Sequence, residues 1–213
     1  MRAEQTCPRC GVQARPPGAW SSRWSCPEHG EVYPLAPFAV PSAELARQLG
    51  ASSHVPLWMP WPLPRGWVVG AVIHAGDDAT GVQATGVVIS GPNPLGGPGD
   101  LLLVAEEPGV GLGAGFAGTD GPDPGKAVEG EPHARVEIAG RAVPMWWVPG
   151  APDRAVYVGQ WGGQWLWAVL YPASAGAMLL EDVELVDLRE LGHEVDMLPY
   201  GTPPPWLARG YDL

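Results

Sequence analysis

Apolar residues downstream of residue 67 come in short runs rich in valine, isoleucine and leucine, and glycine-rich turns separate these runs. Val68–His74 and Val82–Ser90 flank the turn Gly-Asp-Asp-Ala-Thr-Gly, a combination that predicts a β-hairpin. Ala134–Ala139 and Ala142–Val148 flank Gly140–Arg141 in the same way. The other predicted strands are Leu101–Glu107, Ala155–Gly159 and Gln164–Tyr171.

The last of these strands is apolar on both of its alternating faces. Trp165, Trp167 and Val169 point one way, whereas Leu166 and Ala168 point the other way. A strand of this kind needs cover on both sides, so we expect it in the middle of a sheet.

Two further segments have the pattern of short helices. Ser42 can cap a helix over Ala43–Leu49 that stops at Gly50. Asp182–Leu191 has helical composition and precedes Gly192. Strands in hairpin order with two modest helices predict an α+β fold, in which a mainly antiparallel β-sheet domain carries a few short helices.

The N-terminal segment has two matched turns instead of apolar periodicity. Cys-Pro-Arg-Cys-Gly at residues 7–11 and Cys-Pro-Glu-His-Gly at residues 26–30 repeat one design. A gap of two residues lets both ends of a turn reach one ion, and structural zinc takes four such ligands in a tetrahedron. The sequence therefore predicts a zinc ribbon, and its zinc ligands are Cys7, Cys10, Cys26 and His29.

These four ligands account for all three cysteines of the chain and for one of its five histidines. An odd number of cysteines cannot pair evenly in disulfides, which argues against a secreted disulfide protein. The imidazole ligand favours zinc over the iron of a rubredoxin-like site, which stays the alternative. Four protein ligands leave no position for water, so we expect a structural Zn²⁺ and not a catalytic one.

The chain is acidic, with a formal net charge of −11, while its N-terminal ribbon is close to neutral. The body therefore repels phosphate backbones and anionic membranes, which disfavours nucleic acid as a partner. No apolar run approaches the ~20 residues of a membrane span, and the N-terminus lacks the apolar stretch of a signal peptide. We expect a cytoplasmic protein that does not bind membranes.

Changes in composition divide the chain into four predicted parts. Residues 1–36 form the zinc ribbon, and residues 37–53 form a linker with a short helix. Residues 54–200 form a Trp-rich α+β domain, and residues 201–213 form a C-terminal tail. The ribbon alone is too small to bury a core, so metal binding and folding should be one event there.

The body opens on an extended strap at residues 54–67, in which tryptophans alternate with prolines. The prolines forbid a helix and impose a polyproline-like path. Trp58, Trp61 and Trp67 are candidates for a surface that docks a protein partner or a small ligand. The commoner role of such indoles, and the alternative here, is to fill the core.

A glycine-rich stretch at residues 109–114 matches the dinucleotide-binding pattern Gly-x-Gly-x-x-Ala after a strand. A nucleotide site also needs a helix that opens at the pattern, so that its N-terminus meets the pyrophosphate. The glycines and prolines of residues 115–125 predict that no helix continues here, so we do not expect a nucleotide.

The remaining chemistry of the body consists of carboxylates and imidazoles. Paired carboxylates can perform acid–base catalysis when a cleft holds them a few ångströms apart. Their spacing forms no recognised catalytic arrangement, so we assign no catalytic residue. The candidates for an acidic cleft are Glu106, Glu107, Asp120, Asp123 and His133.

Five motifs stand out along the chain: Cys7–Gly11, Trp58–Trp67, Ser90–Gly97, Gly118–Gly125 and Glu194–Gly201. Together they resemble an uncharacterised actinobacterial family of zinc-ribbon proteins, a domain of unknown function. The resemblance spans most of the chain. It implies a cytoplasmic actinobacterial protein and no particular activity.

Three functions remain open. The first is a non-enzymatic zinc-binding protein that serves as a regulatory or binding module for a protein partner or a small molecule. The alternative is a hydrolase or transferase with an acidic active site within residues 54–200, which a deep pocket holding two carboxylates would favour. The third is nucleic-acid binding by the ribbon, which requires Arg9, Arg15 and Arg23 on one face.

Overall fold

A computed structural model describes residues 5–19 and 21–209 of the chain. Two short N-terminal strands pair with each other, and nine strands form the sheet of the body. The strands are β1 Ser25–Cys26, β2 Gly30–Glu31, β3 Trp58–Pro60, β4 Val68–Asp77, β5 Gly81–Pro92, β6 Pro98–Glu106, β7 Ala134–Ile138, β8 Arg141–Trp147, β9 Ala155–Trp161, β10 Gln164–Tyr171 and β11 Val183–Asp187. The α-helices are α1 Ala43–Ser52, α2 Leu112–Ala117 and α3 Pro205–Arg209, and 3₁₀ helices cover Gly125–Val128, Ala173–Leu180, Leu188–Glu190 and Gly192–Met197.

The strands of the large sheet lie in the order β3-β11-β7-β8-β9-β10-β6-β5-β4. β11 and β7 are parallel, whereas the other neighbouring strands are antiparallel. The sheet curls, so that β3 at one edge packs across β5 and β6 near the other edge. The fold is therefore a mixture of helix and strand dominated by a curled, mainly antiparallel sheet, as the sequence predicts.

Both predicted hairpins are confirmed, because β4 pairs with β5 and β7 pairs with β8. β10 lies between β9 and β6, and its residues Leu166–Leu170 are buried. The prediction of a central strand that is covered on both faces is confirmed as well. The alternation of its side chains divides them between two cores.

Each face of the sheet has its own core. On the concave face, Leu103 and Leu166 belong to a cluster that is covered by helix α1 and by the 3₁₀ helices Ala173–Leu180, Leu188–Glu190 and Gly192–Met197. On the convex face, Val104 and Trp167 pack beneath helix α2 together with Leu35 of the N-terminal segment. Successive residues of β6 and of β10 therefore serve opposite sides of the same sheet.

The predicted helix over Asp182–Leu191 is wrong. Val183–Asp187 forms strand β11, and 3₁₀ turns begin only at Leu188. β11 is bonded to β7 on one side and to β3 on the other. Pairing on both sides outweighs a helical composition, because intrinsic propensity is a weak prior that tertiary contacts override.

Helix α1 begins as predicted, since the Ser42 hydroxyl accepts a hydrogen bond from the backbone N–H of Leu45 at 3.2 Å. The predicted stop at Gly50 is wrong, because α1 continues through it to Ser52. A Cβ at Gly50 would lie 2.9 Å from the Cγ atom of Arg189, so this glycine provides room for the segment after β11. Within the described ranges, no helix is long and apolar enough to cross a membrane.

The N-terminal segment is attached to the outer edge of β4. The backbone N–H of Ala36 donates to the carbonyl of His74, and that of Gly76 donates to the carbonyl of Pro34, both at 3.0 Å. On its other side, Leu35 exchanges backbone hydrogen bonds with Thr6. The sheet thus extends into the segment that carries the predicted ribbon.

The described part of the predicted C-terminal tail packs on the convex face. The indole N–H of Trp206 donates to Asp100 at 2.7 Å, and its ring stacks on Tyr171. Leu207 is fully buried in the same core. Trp206 and Leu207 therefore cover β6 and β10 from the side opposite to helix α1.

Candidate metal centre

The four predicted ligands come together in space. The ligand atoms of Cys7, Cys10, Cys26 and His29 all lie within 4.8 Å of one another. Cys7 and Cys26 are buried, and the other two ligands are partly buried. This cluster of thiols and imidazole is compatible with a metal site.

The distances within the cluster fit a tetrahedral ion. The Sγ atoms of Cys10 and Cys26 are 3.7 Å apart, and Nδ1 of His29 lies 3.6 Å from the Sγ atoms of Cys7 and Cys26. A disulfide would require a sulfur–sulfur distance of about 2.05 Å. Bonds of about 2.3 Å to sulfur and 2.0–2.1 Å to nitrogen at tetrahedral angles place two sulfurs about 3.8 Å apart and sulfur and nitrogen about 3.6 Å apart. These three distances are therefore compatible with a metal ion of tetrahedral coordination.

Two tight turns present the ligands. The backbone N–H of Gly11 donates to the carbonyl of Cys7 at 2.9 Å, which closes the first turn. Gly11 and Gly30 have φ angles of 71° and 70°, a left-handed conformation that glycine adopts without steric cost. In the second turn, the pairing of β1 with β2 places Cys26 opposite Gly30, and His29 lies within that loop.

The thiols differ in how readily they ionise. Burial raises the pKa of Cys7 to about 12, and burial is also the largest cause of the raised pKa of Cys10. At Cys26 burial acts in the same direction, but hydrogen bonds from the backbone N–H groups of Glu28 and His29 and from the side chains of His29 and Cys10 together outweigh it and lower the pKa to about 7. A bound cation would overcome the raised pKa of the Cys7 and Cys10 thiols, because a coordinating thiol is deprotonated outright.

The first ligand turn rests on helix α2. A Cβ at Gly115 would collide with the backbone oxygen of Pro8, and a Cβ at Gly113 would collide with the indole of Trp167. Nη2 of Arg9 also donates to the carbonyl of Gly109 at 2.9 Å. The prediction that no helix follows the glycine pattern is wrong, because these glycines let a six-residue helix fit between the ligand turn and the sheet.

The N-terminus of α2 is capped from within the protein. Glu106 is fully buried, and its carboxylate accepts hydrogen bonds from the backbone N–H groups of Leu112 and Gly113 at 2.6 Å and 3.3 Å. Burial raises the pKa of Glu106 to about 8, although these N–H groups lower it in part. The N–H groups that the dinucleotide pattern would offer to a phosphate are thus already occupied by a side chain.

Two more members of the predicted acidic cleft have partners of their own. Glu107 accepts a hydrogen bond from Nε2 of Gln164 at 2.8 Å. Asp123 accepts from the backbone N–H of Gly109 and from the indole N–H of Trp165, both at 2.8 Å. These contacts tie the loop after α2 to β10, so Asp123 holds this loop in place.

His133 lies apart from that group. His133 precedes β7, which is four strands away from β6 in the sheet, and its Nδ1 accepts from the backbone N–H of Trp147 at 3.1 Å. Asp120 is exposed. Burial raises the pKa of Glu106 most, and the nearby Asp123 carboxylate raises it as well, so the structure brings these two residues together and leaves His133 in a different part of the sheet.

The three tryptophans of the strap divide between core and surface. Trp58 and Trp67 are only 6% and 5% exposed and belong to the concave core. Trp61 is partly exposed and lines a cavity of about 330 Å³ together with Trp67. Pro92 and Pro94 also line this cavity. No local signal in the sequence connects these two prolines with the strap, because the pairing of β4 with β5 brings them there.

A larger cavity of about 530 Å³ lies between the N-terminal segment and the β4–β5 hairpin. His74 and Asp77 line it, and burial lowers the pKa of His74. The Asp77 carboxylate accepts from the backbone N–H groups of Ala79 and Thr80 and from the Thr80 hydroxyl. Asp77 therefore shapes the hairpin turn.

The three arginines of the predicted nucleic-acid surface have different surroundings. Arg9 is turned onto the loop before α2, where it binds the carbonyl of Gly109. Arg23 forms an ion pair with Glu31 at 3.1 Å, and Arg15 is exposed. Two of the three cations are thus bound to groups within the protein itself.

The fold and the site define a β-rich protein in which a cysteine–histidine cluster, compatible with a metal ion, is docked on a curled sheet. The chain belongs to a family of unknown function, DUF6758, whose model matches residues 1–207. No curated protein matches the chain, and no solved structure matches it.

Proposed function

We propose that this protein is a non-enzymatic zinc-binding module, in which a structural Zn²⁺ organises an N-terminal zinc ribbon and the body presents a surface for a protein partner or a small ligand. The observation that carries the proposal is the closed donor set, in which three sulfurs and one nitrogen lie at tetrahedral spacing. Four protein ligands leave no position for a water or a substrate, so the ion has a structural role. The predicted cytoplasmic location is consistent with cysteines that bind metal.

The donor types favour zinc over iron. Rubredoxin-like iron sites use four thiolates, whereas here His29 replaces one of them. Zinc accepts imidazole and thiolate together and has no geometric preference of its own. A zinc-loaded protein is colourless, and a ferric thiolate site absorbs visible light, so an absorption spectrum separates the two.

The ion takes the place of a core that the N-terminal segment does not have. Among the described residues 5–36, the buried apolar side chains are Cys7, Pro8, Ala14, Cys26, Pro34 and Leu35, and two of these six are proposed metal ligands. Structural zinc contributes on the order of 10–16 kcal/mol in zinc-finger peptides. That is enough to order a segment with so little apolar burial.

The first prediction concerns His29→Ala in the full-length protein. We expect this variant to lose stoichiometric zinc when it is measured by elemental analysis, because only three ligands remain. His193→Ala is the matched control, since His193 is exposed and lies outside the cluster. It should retain one zinc per chain.

Two results would contradict the proposal. Purified wild-type protein without metal, expressed in zinc-supplemented medium, would remove its basis. Equal zinc content in the two histidine variants would show that the ion is held elsewhere.

A further inference from the structure

A groove of about 330 Å³ lies where the strap meets the ends of β5 and β11. Two tryptophans and five prolines dominate its walls: Trp61, Trp67, Pro60, Pro62, Pro64, Pro92 and Pro94. Trp67 is nearly buried and backed by Gly91, whereas Trp61 is more open to solvent. We call this site the Trp–Pro groove.

The rim of the Trp–Pro groove is acidic. Glu181, Asp182 and Glu184 all line it, and all three are exposed. Within the described part of the chain, none of their carboxylates forms an ion pair. No arginine, lysine or histidine lines the groove, and Arg65, which is next to Pro64 in the chain, is exposed outside it.

The acidic surface continues beyond the groove. Glu184 of β11 lies beside Glu137 of β7 in the parallel register, and both are exposed. Like charges on neighbouring strands repel each other, so the Glu184–Glu137 pair is destabilising. A cationic ligand would relieve that repulsion.

We propose that the Trp–Pro groove binds an extended, proline-containing segment of a partner protein and that an arginine of this segment stacks on Trp61. Guanidinium planes stack on indole faces and pair with carboxylates. One arginine side chain of the partner can therefore contact both the Trp61 ring and a carboxylate of the acidic rim. Grooves with aromatic walls recognise proline-rich segments, because a polyproline conformation loses little entropy on binding. The inference rests on the proposed function in treating the body as the binding surface.

The shape of the site favours a peptide over a small organic cation. Its volume is at the small end of the range for ligand pockets, about 300–1,000 Å³, and it is partly open to solvent instead of enclosing its occupant. Asp182 and Glu184 are two positions apart along the chain, which separates them by about 6–7 Å. Such a rim faces several residues of an extended chain, and a single ammonium group would reach only part of it.

The test uses zinc-loaded full-length protein and isothermal titration calorimetry. The probes are the peptide Ac-Pro-Pro-Arg-Pro-Pro-amide and the same peptide with glutamine in place of arginine. We expect the arginine peptide to bind about tenfold more tightly than the glutamine peptide, and we expect its affinity to fall as salt increases. Tetramethylammonium serves as the small-cation probe and should bind more weakly than the arginine peptide.

Two variants locate the binding site. The triple variant Glu181→Gln, Asp182→Asn, Glu184→Gln should lose about tenfold in affinity for the arginine peptide, because exposed ion pairs contribute modestly each and add up here. Its matched control neutralises the exposed Glu129, Glu131 and Glu194 and should leave affinity unchanged. Trp61→Leu should weaken binding, and the exposed Trp147→Leu should not. Unfolding midpoints of all variants confirm that the fold is retained.

Several results would overturn the inference. These are equal affinity for the arginine and glutamine peptides, tetramethylammonium binding as tight as that of the arginine peptide, or absence of heat with every probe. Equal losses in the groove variants and their controls would also overturn it. Each of these outcomes leaves the proposed zinc function intact when the protein still contains one zinc per chain, so the two proposals can fail separately.

Discussion

Glu106 is the residue whose chemistry departs most from its ordinary behaviour, and its surroundings explain why. Glu106 is fully buried at the end of β6. It lies next to helix α2, whose N-cap residue, Gly111, has no side chain that could cap the helix. Its carboxylate satisfies the N–H groups of Leu112 and Gly113, which would otherwise be buried without partners. The benefit of that cap is opposed by the cost of burying a charge, so the pKa rises to about 8.

The pH dependence of stability tests this balance. Between the ordinary pKa of 4.5 and the folded value of about 8, the folded chain holds a proton that the unfolded chain has released. Stability therefore falls as pH rises through this window and levels off above it. We expect Glu106→Gln, which imitates the neutral acid, to be more stable than wild type above pH ~8 by on the order of a few kcal/mol and similar to it below pH ~4.5.

Urea denaturation of both proteins across this pH range measures the difference. Glu129→Gln is the control, because Glu129 is exposed and its removal should not change the pH profile. A constant difference between Glu106→Gln and wild type at every pH would show that Glu106 does not titrate in this way.

At the level of elements, helix α2 connects the metal-ligand turns to the sheet. Its composition, Leu-Gly-Ala-Gly-Phe-Ala, is a poor helix former in isolation. The glycines allow close approach on two sides, to Pro8 of the first ligand turn and to Trp167 of β10. The helix therefore forms because of the partners it touches, and its weak propensity reflects the space those partners need.

Gly115→Ala should loosen this connection without removing a ligand. The added Cβ would meet the backbone of Pro8 and Arg9, which cannot move aside as a flexible side chain can. We expect a loss of about 1–3 kcal/mol in unfolding free energy, typical of overpacking, with zinc content unchanged. Gly18→Ala is the matched control, because a Cβ at Gly18 meets nothing within 4 Å.

Urea denaturation and elemental analysis of the two glycine variants provide the readout. Equal free energies of unfolding for Gly115→Ala and Gly18→Ala would show that the close contact between α2 and the first ligand turn does not contribute to stability.

At the scale of the whole molecule, the positions of the two cores predict which parts of the protein would stay folded if a bound metal ion were removed. Both faces of the large sheet are covered, and most buried residues lie within the body. The N-terminal segment adds backbone hydrogen bonds at the edge of β4 and the side chain of Leu35. The body thus has its own core, while the N-terminal segment has few buried apolar side chains and is attached at this edge.

We expect Cys10→Ser to release zinc and to make the N-terminal segment sensitive to protease, while the body stays folded. Trypsin should then cleave after Arg23, which lies between the two ligand turns. The unfolding midpoint of the body should fall modestly, because the edge of β4 loses a partner strand and ligand-linked stability is lost.

Limited proteolysis and thermal unfolding with and without chelator check this prediction, and restoring zinc to the chelated wild type provides the control. Protection of Arg23 in the metal-free variant would contradict it, as would loss of cooperative unfolding in the body.

Much of the fold and one part of the site were predictable from sequence, for reasons that are local. Hairpins such as β4–β5 depend on alternating apolar residues and the turn between them, and both lie within one short window. The metal ligands depend on two turns with two-residue gaps, a spacing that itself brings the donor atoms together. Helix α1 begins where its cap residue, Ser42, predicts.

The remaining features depend on segments far apart in the chain. Val183–Asp187 is a strand because β3 and β7 offer it hydrogen bonds on both sides, although its composition favours a helix. Glu106 is a buried helix cap and not part of a cleft, since α2 folds back over the end of β6. The walls of the Trp–Pro groove meet only when the strap, β5 and β11 are in place.

The sequence by itself determined the hairpins, the two-sided central strand and the two Cys/His turns whose side chains cluster, because each follows largely from spacing within short segments. Only the tertiary structure decided which carboxylates are buried, which tryptophan reaches the surface and how the metal-ligand turns dock on the sheet. Burial and electrostatic environment are properties of surroundings, and for this chain those surroundings are assembled from residues that are far apart in sequence.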